Sequence, residues 1–348
     1  MASERKNEIS LYNVFLCFLV IFIHINASCI VGFPQNTFKF SVAMELGRLS
    51  AFAVQGFILL SGVKLFLNQK YEIGYFKFLG LRFKGIIIPY AISYIFYYVF
   101  YYVIYDYPIS APFILKHFVL GSLVCHFYFI PLLFQFDLLL PLWKVIINKF
   151  SPIFVIPVSI LMGELFGTYF PTILSGINPN VSFVYNDRIF TTYIAYWVIG
   201  CYIGKYYDSF KELISKNFKF IVSIFTIVTA TYLYYNYLSY NGLLYVPFLS
   251  LLTNTYILIA CIFCYSLFIK ISKFIPQKKT LLNLIDYSSY KIYLYHMIVL
   301  MFCDAALTYF GIISIGLSTL IRVIVVYSVS ITLCIFINKI QLRLRLSK

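Results

Sequence analysis

"NVFLCFLVIFIHINAS", Asn13 to Ser28, is apolar apart from Asn13, His24, Asn26 and Ser28. It places an imidazole in the middle of a greasy run, in a chain with only four histidines. The apolar run covers roughly residues 10–30, the length a helix needs to cross the hydrocarbon core of a bilayer. It does not read as a signal peptide. It is too long, has no small-residue cleavage site, and is followed by many similar runs.

Working outward, the same character fills the chain. Of its 348 residues, 62% are hydrophobic and 11% charged, and the mean hydropathy is +0.88. A soluble protein of this length cannot hide so much apolar surface in one core, so the bilayer is the solvent that fits. Spanning runs fall near 10–30, 43–66, 86–105, 126–147, 152–170, 190–207, 220–238, 246–269, 287–309 and 314–338. The fifth and sixth are the shortest. The segment 107–125, with Pro108, Pro112, Lys116 and His117, reads as an interfacial helix before the fourth span. The expected fold is an all-α polytopic membrane protein with about ten transmembrane helices, forming a single domain over 1–348.

Charge sets the expected orientation. With the N-terminus cytoplasmic, 21 Lys and Arg residues fall in inner segments and four (Lys39, Arg48, Lys116 and Arg188) in outer ones. The positive-inside rule then places both termini in the cytoplasm. The net charge of +15 is accounted for by membrane lipid as partner, through anionic headgroups, and not by nucleic acid. The eight cysteines are scattered through apolar runs. "CIFC", Cys261 to Cys264, has the spacing of a redox or metal pair but no polar neighbours, and reads as packing. No P-loop, GxSxG elbow, HExxH or metal-ligand cluster is present, so no metal is expected.

Ionisable groups inside a span are expensive and mark candidate sites. They are His24, Glu45, Arg48, Asp137, Glu164, Lys291, His296, Asp304 and Arg322. Asn13 and His24 are eleven residues apart, close to three helical turns. They share a face and lie about 16 Å apart along the axis. His24 has the pKa range of a general base for a hydroxyl. His296, ten residues past Asp286 in "SSYKIYLYHMIV", sits at similar depth and could share a cavity with His24. Glu45 and Arg48 can pair on one helix face. Gly56, Ser61 and Gly62 in "AVQGFILLSGVKLF" permit close helix approach or backbone exposure to a ligand. Arg82 and Lys84 in "LRFKGIIIPY" mark positive-inside topology or grip an anionic, phosphate-bearing donor. His126 in "HFYFIPLLF" belongs by its surroundings to an interfacial aromatic belt. Asp137 and Glu164 should pair with cations of neighbouring spans, and Asp304 with Arg322.

In this order the pieces resemble the acyltransferase 3 family of multi-pass bacterial membrane enzymes. The resemblance covers most of the chain. It rests on "VIFIHINAS", "FILLSG", "LRFKGIIIPY", "HFYFIPLLFQFDLLLPL", "YWVIGCYIGKY" and "SSYKIYLYHMIV". It implies transfer of an acyl group, usually acetyl, from cytoplasmic acyl-CoA to a hydroxyl of a cell-surface or lipid-linked glycan. It makes His24 the catalytic centre and Arg82, with Lys84 and Ser61, the donor side. Glu45, Arg48, His126 and His296 are then candidates for the substrate. The expected location is the cell membrane, as a bacterial plasma-membrane protein. The family usually carries arginine where this chain has Asn13. The wider superfamily includes members with asparagine there, so Asn13 joins His24 in the candidate catalytic set. The basic pattern is also thinner, with Gly85 three residues after Arg82. A transporter using the intramembrane histidines and acids, and a non-catalytic partner of a glycan synthase, are the other readings. The absence of a clear inverted repeat or a Gly/Pro-broken helix pair argues against the transporter. A homo-oligomer is compatible with the sequence but not required by it.

Overall fold

The computed structural model describes residues 6–178, 185–276 and 281–346. Arg5, Lys278, Lys279 and Lys348, counted above among the inner charges, lie outside the described residues. All regular structure among the described residues is helical. In chain order the α-helices are α1 Asn7–Gly32, α2 Phe38–Leu49, α3 Ala53–Leu67, α4 Tyr75–Arg82, α5 Ile88–Tyr105, α6 Ala111–Leu120, α7 Phe129–Leu138 and α8 Leu140–Lys149. They continue as α9 Pro152–Glu164, α10 Phe170–Ile177, α11 Ile194–Lys205, α12 Tyr207–Lys216, α13 Phe218–Tyr240, α14 Leu249–Ser272, α15 Leu281–Tyr309 and α16 Ile315–Leu346.

Among the described residues, eight segments are long and apolar enough to cross a membrane. A ninth is the pair α7–α8, bent by 62°. The protein is therefore an all-α polytopic membrane protein, but two of the ten expected spans are not simple helices. The fourth begins at Phe129 and breaks at Leu139 because Pro141 has no N–H for the Asp137 carbonyl. Carbonyls freed at such a break need donors when no water is at hand. The Trp143 indole donates to the Phe136 carbonyl (2.9 Å), and the Tyr75 hydroxyl to that of Leu138 (2.8 Å). The sixth is the twelve-residue α11, entered through a 3₁₀ turn at Phe190–Tyr193.

The third span starts earlier than its apolar run suggests. Helix covers Tyr75 onward, so Arg82 and Lys84 sit within it rather than in a connection. Between α4 and α5 the helix widens to a π-turn over Phe83–Ile87, with the Ile88 N–H reaching the Phe83 carbonyl. Pro89 follows at once. The wider turn absorbs the hydrogen bond that a proline cannot make. The same device recurs at Leu165–Tyr169, ahead of Pro171.

Packing divides the chain into two compact units, Met1–Val54 with Lys211–Lys348, and Gln55–Phe210. In the first, α1 is surrounded by α2, α14, α15 and α16. Its backbone carbonyls take hydroxyls from outside: Tyr327 donates to Phe18 (2.7 Å). In return Tyr12 donates to the Cys261 carbonyl (3.2 Å), and Asn26 to that of Ala43 (2.8 Å). These pairings fix directions. Phe18 lies opposite Tyr327, and Cys29 opposite Thr319. So α16 runs against α1, and the start of α1 and the end of α16 lie at the same end of this unit. At the chain-terminal end, Lys211 pairs with the buried Glu8 carboxylate (2.8 Å). Toward the opposite end, Arg322 pairs with Asp304 (2.6 Å), as expected, and also donates to Ser318 (3.0 Å).

The second unit is organised by small residues. A Cβ on Gly200 would stand 2.1 Å from the Leu59 carbonyl oxygen, and one on Gly204 2.5 Å from that of Val63. From the other side, Gly62 faces the Trp197 carbonyl at 2.7 Å by the same measure. The backbones of α3 and α11 thus touch, the close packing that small residues permit in membranes. Eleven of the twelve residues of α11 are buried as a result.

Candidate active site

The site is built on α1 and α15. Asn13 donates both hydrogens of its amide, to Asp286 Oδ1 (2.7 Å) and to Ser289 Oγ (2.8 Å). Ser10 donates to the other Asp286 oxygen (2.8 Å), and Ser289 passes its own proton to the Asp286 carbonyl (2.8 Å). The carboxylate is buried but receives hydroxyl and amide donors, the condition for keeping a charge in an apolar bundle. On the same helix Ser288 and Lys291 tie α15 to α16. Lys291 donates to Asn338 and to Gln341 (2.6 Å), and Asn338 to Ser288 (2.8 Å).

Ten residues further along α15, or about 15 Å, His296 meets His24. Their ring centroids are 5.2 Å apart with planes inclined by 34°. Asn13 pairs with Asp286, and His24 with His296, so α1 and α15 run parallel and carry two polar rungs at matching heights. The two histidines, distant in sequence, are in contact. His24 is half-buried and His296 has no exposed surface. The His296 ring is anchored through Nδ1, which lies 2.8 Å from the Tyr293 carbonyl oxygen and 3.2 Å from that of Ile292.

The lower rung was only half legible. Asp286, Ser10 and Ser289 join Asn13 only in the folded chain. The available signal was spacing: Asp286 precedes His296 by ten residues, as Asn13 precedes His24 by eleven. Asn13 emerges as a tie between helices. Its surroundings predict how it can change. Asn13→Arg puts a guanidinium against Asp286 in a charge-assisted bond, and should fold with an unchanged or raised Tm. Asn13→Asp puts two carboxylates side by side in a buried place. It should lower the Tm in detergent by several degrees, for a loss of about 2–4 kcal/mol.

Other candidates are placed as follows. On α2, Glu45 and Arg48 do not form the expected ion pair. Arg48 is exposed, whereas the Glu45 carboxylate is turned inward beside Tyr240, with Tyr232 in reach of both charges. Both Glu45 oxygens, and the hydroxyls of Tyr232 and Tyr240, are buried without a hydrogen-bond partner among the described residues. In the second unit, Arg82 donates through Nε to the buried Asp137 (2.7 Å), the cation expected for that acid. Lys84 is exposed. Ser61 donates to the Phe57 carbonyl one turn back (2.8 Å), the usual local bond of a serine in an apolar helix. Glu164 accepts from Thr168 (3.4 Å). His126, expected in an interfacial aromatic belt, does have aromatic neighbours. It is buried against Phe127 and Tyr97, because the span starts only at Phe129 and residues 121–128 form a tucked turn.

Against known proteins, the family model described as an acyltransferase domain matches residues 9–339, nearly the whole chain. The chain belongs to the acyltransferase 3 family. Comparisons with curated proteins and with solved structures give no match. The family makes this multi-pass membrane protein an acyltransferase. Such an enzyme must deliver a group to a nucleophile within or beside the bilayer. In this acyltransferase domain the rings of His24 and His296 are in contact within the bundle of the first unit.

Proposed function

We propose that the protein transfers an acyl group, acetyl by preference, from cytoplasmic acyl-CoA to a hydroxyl of a cell-surface or lipid-linked glycan in the plasma membrane. The observation that carries this reading is His24 held against His296 on the helix whose other polar rung is Asn13–Asp286. His24 takes the proton of the acceptor hydroxyl as its oxygen attacks the thioester carbonyl. The C–S bond then breaks, and the proton passes to the departing thiolate. Asn13 and His24 are about 16 Å apart by helical rise, the reach of a pantetheine arm. The end that carries Asn13 and both chain termini is assigned to the cytoplasm by the distribution of Lys and Arg.

Donor and acceptor draw on different groups. Arg82 uses Nε for Asp137, and its remaining guanidinium N–H groups are suited to a phosphate, with Lys84 adding a mobile charge. Glu45, Tyr232 and Tyr240 offer a carboxylate and two hydroxyls that need hydrogen-bond partners, which suits a polyhydroxylated acceptor. The test is incubation of the purified protein with labelled acetyl-CoA and membrane glycan. Label should move to the glycan. Lys84→Ala, which disturbs no packed contact, should raise the KM for acetyl-CoA three- to ten-fold, about 1 kcal/mol, with kcat unchanged. Counterflow of unmodified glycan without any label transfer would overturn the reading.

A further inference from the structure

We propose that His296 is the positioning residue of a histidine dyad, its Nε2 placed to receive the N–H of His24 as the acceptor binds, so that the other nitrogen of His24 is held toward the acceptor hydroxyl. The inference rests on His24 acting as the general base. It begins from the tautomer. A carbonyl oxygen only accepts, so the contact of His296 Nδ1 with the Tyr293 carbonyl at 2.8 Å places the ring proton on Nδ1. In the neutral ring the lone pair is then on Nε2. Nδ1 is turned to the backbone of α15, which leaves the opposite edge of the ring for His24.

The rings are close enough for this bond to close when the acceptor binds. A nitrogen lies roughly 1 Å from the centroid of its imidazole, and an N–H···N bond is about 3 Å long, so two bonded rings have centroids roughly 5 Å apart. The observed separation is 5.2 Å. The ring is also fixed. His296 is fully buried, with two backbone carbonyls on one edge and the Tyr293 ring 6.2 Å away. A base oriented by a second group is the arrangement that makes a histidine select one nitrogen for catalysis.

During transfer the hydroxyl proton moves to the free nitrogen of His24 while the C–O bond forms and the C–S bond breaks. The resulting imidazolium keeps its second N–H on His296 Nε2. The newly gained proton then leaves with the thiolate. His296 neither gains nor loses a proton over the cycle.

Two substitutions separate positioning from packing. Asparagine places its amide where Nδ1 stands and can keep the bond to Tyr293, while glutamine reaches the place of Nε2. His296→Asn should fold with the wild-type Tm and lose about a hundred-fold in kcat, with an unchanged KM for acetyl-CoA. His296→Gln should recover at least ten-fold of that loss. A fully active His296→Asn, or a Gln variant no better than Asn, overturns the dyad. If the Asn variant does not fold, Gln is compared with Leu, and equal kcat values overturn it. His24→Ala is measured alongside. An active His24→Ala removes the base and the dyad together, whereas an inactive one beside a fully active His296→Asn removes the dyad alone.

Discussion

His24→Ala is expected to lower acyl transfer by at least about a thousand-fold while leaving a folded protein. General acid–base catalysis by a positioned side chain supplies about 10²–10⁴ in rate, and His24 is the half-buried partner of the dyad. The substitution removes one ring from a contact with His296 and leaves α1 held by Asn13, Tyr12, Asn26 and the Tyr327 hydroxyl. The Tm in detergent should therefore fall by only a few degrees. Acetyl-CoA binding should survive, because the phosphate grip assigned to Arg82 and Lys84 is untouched. The measurement is transfer of labelled acetyl to glycan, beside a binding isotherm for acetyl-CoA. Wild-type rates in the variant would end the assignment. Label retained on His24 in wild-type protein without acceptor would redirect it, making the imidazole the nucleophile of an acyl-enzyme.

What the sequence revealed, and what it hid, divides along physical lines. Lipid imposes one demand on every residue of a span, so the apolar runs and the all-helical fold are visible from composition and length alone. Charges inside a span must find partners, which is why Asp304–Arg322 and the need of Asp137 for a cation could be read in advance. Which cation serves Asp137 could not. Asp137 meets Arg82 fifty-five residues away, and nothing local points to it. Proline positions were visible, but their consequences depend on register. Pro141 breaks a span by 62°, whereas Pro89 and Pro171 are absorbed by π-turns. The Asn13–Asp286 rung is not visible in the sequence, because its two members lie 273 residues apart. The amide's role emerges only when α15 lies beside α1.

The second large effect is structural. Gly200→Ala should prevent α3 and α11 from packing. The new Cβ would lie 2.1 Å from the Leu59 carbonyl oxygen and 2.9 Å from its carbon, both backbone atoms that cannot swing aside. The helices would have to separate by more than 1 Å over a contact that also includes Gly62 and Gly204. Overpacking of this kind takes about 1–3 kcal/mol or more. The loss reaches further, because Trp197, Cys201 and Phe136 are fully buried around the same contact, with Phe136 and Trp197 stacked at 4.6 Å. The expected result is a sharp fall in the yield of monodisperse detergent-solubilised protein and a Tm lowered by five degrees or more. Gly176→Ala is the control. A Cβ there meets nothing within 4 Å, and helix propensity alone would favour alanine. Equal Tm values for the two variants would show that the backbones are not in contact. The result also decides what "YWVIGCYIGKY" means. As a family signature it invites a catalytic reading, yet its two glycines are required by helix packing, and its chemistry is the absence of side chains.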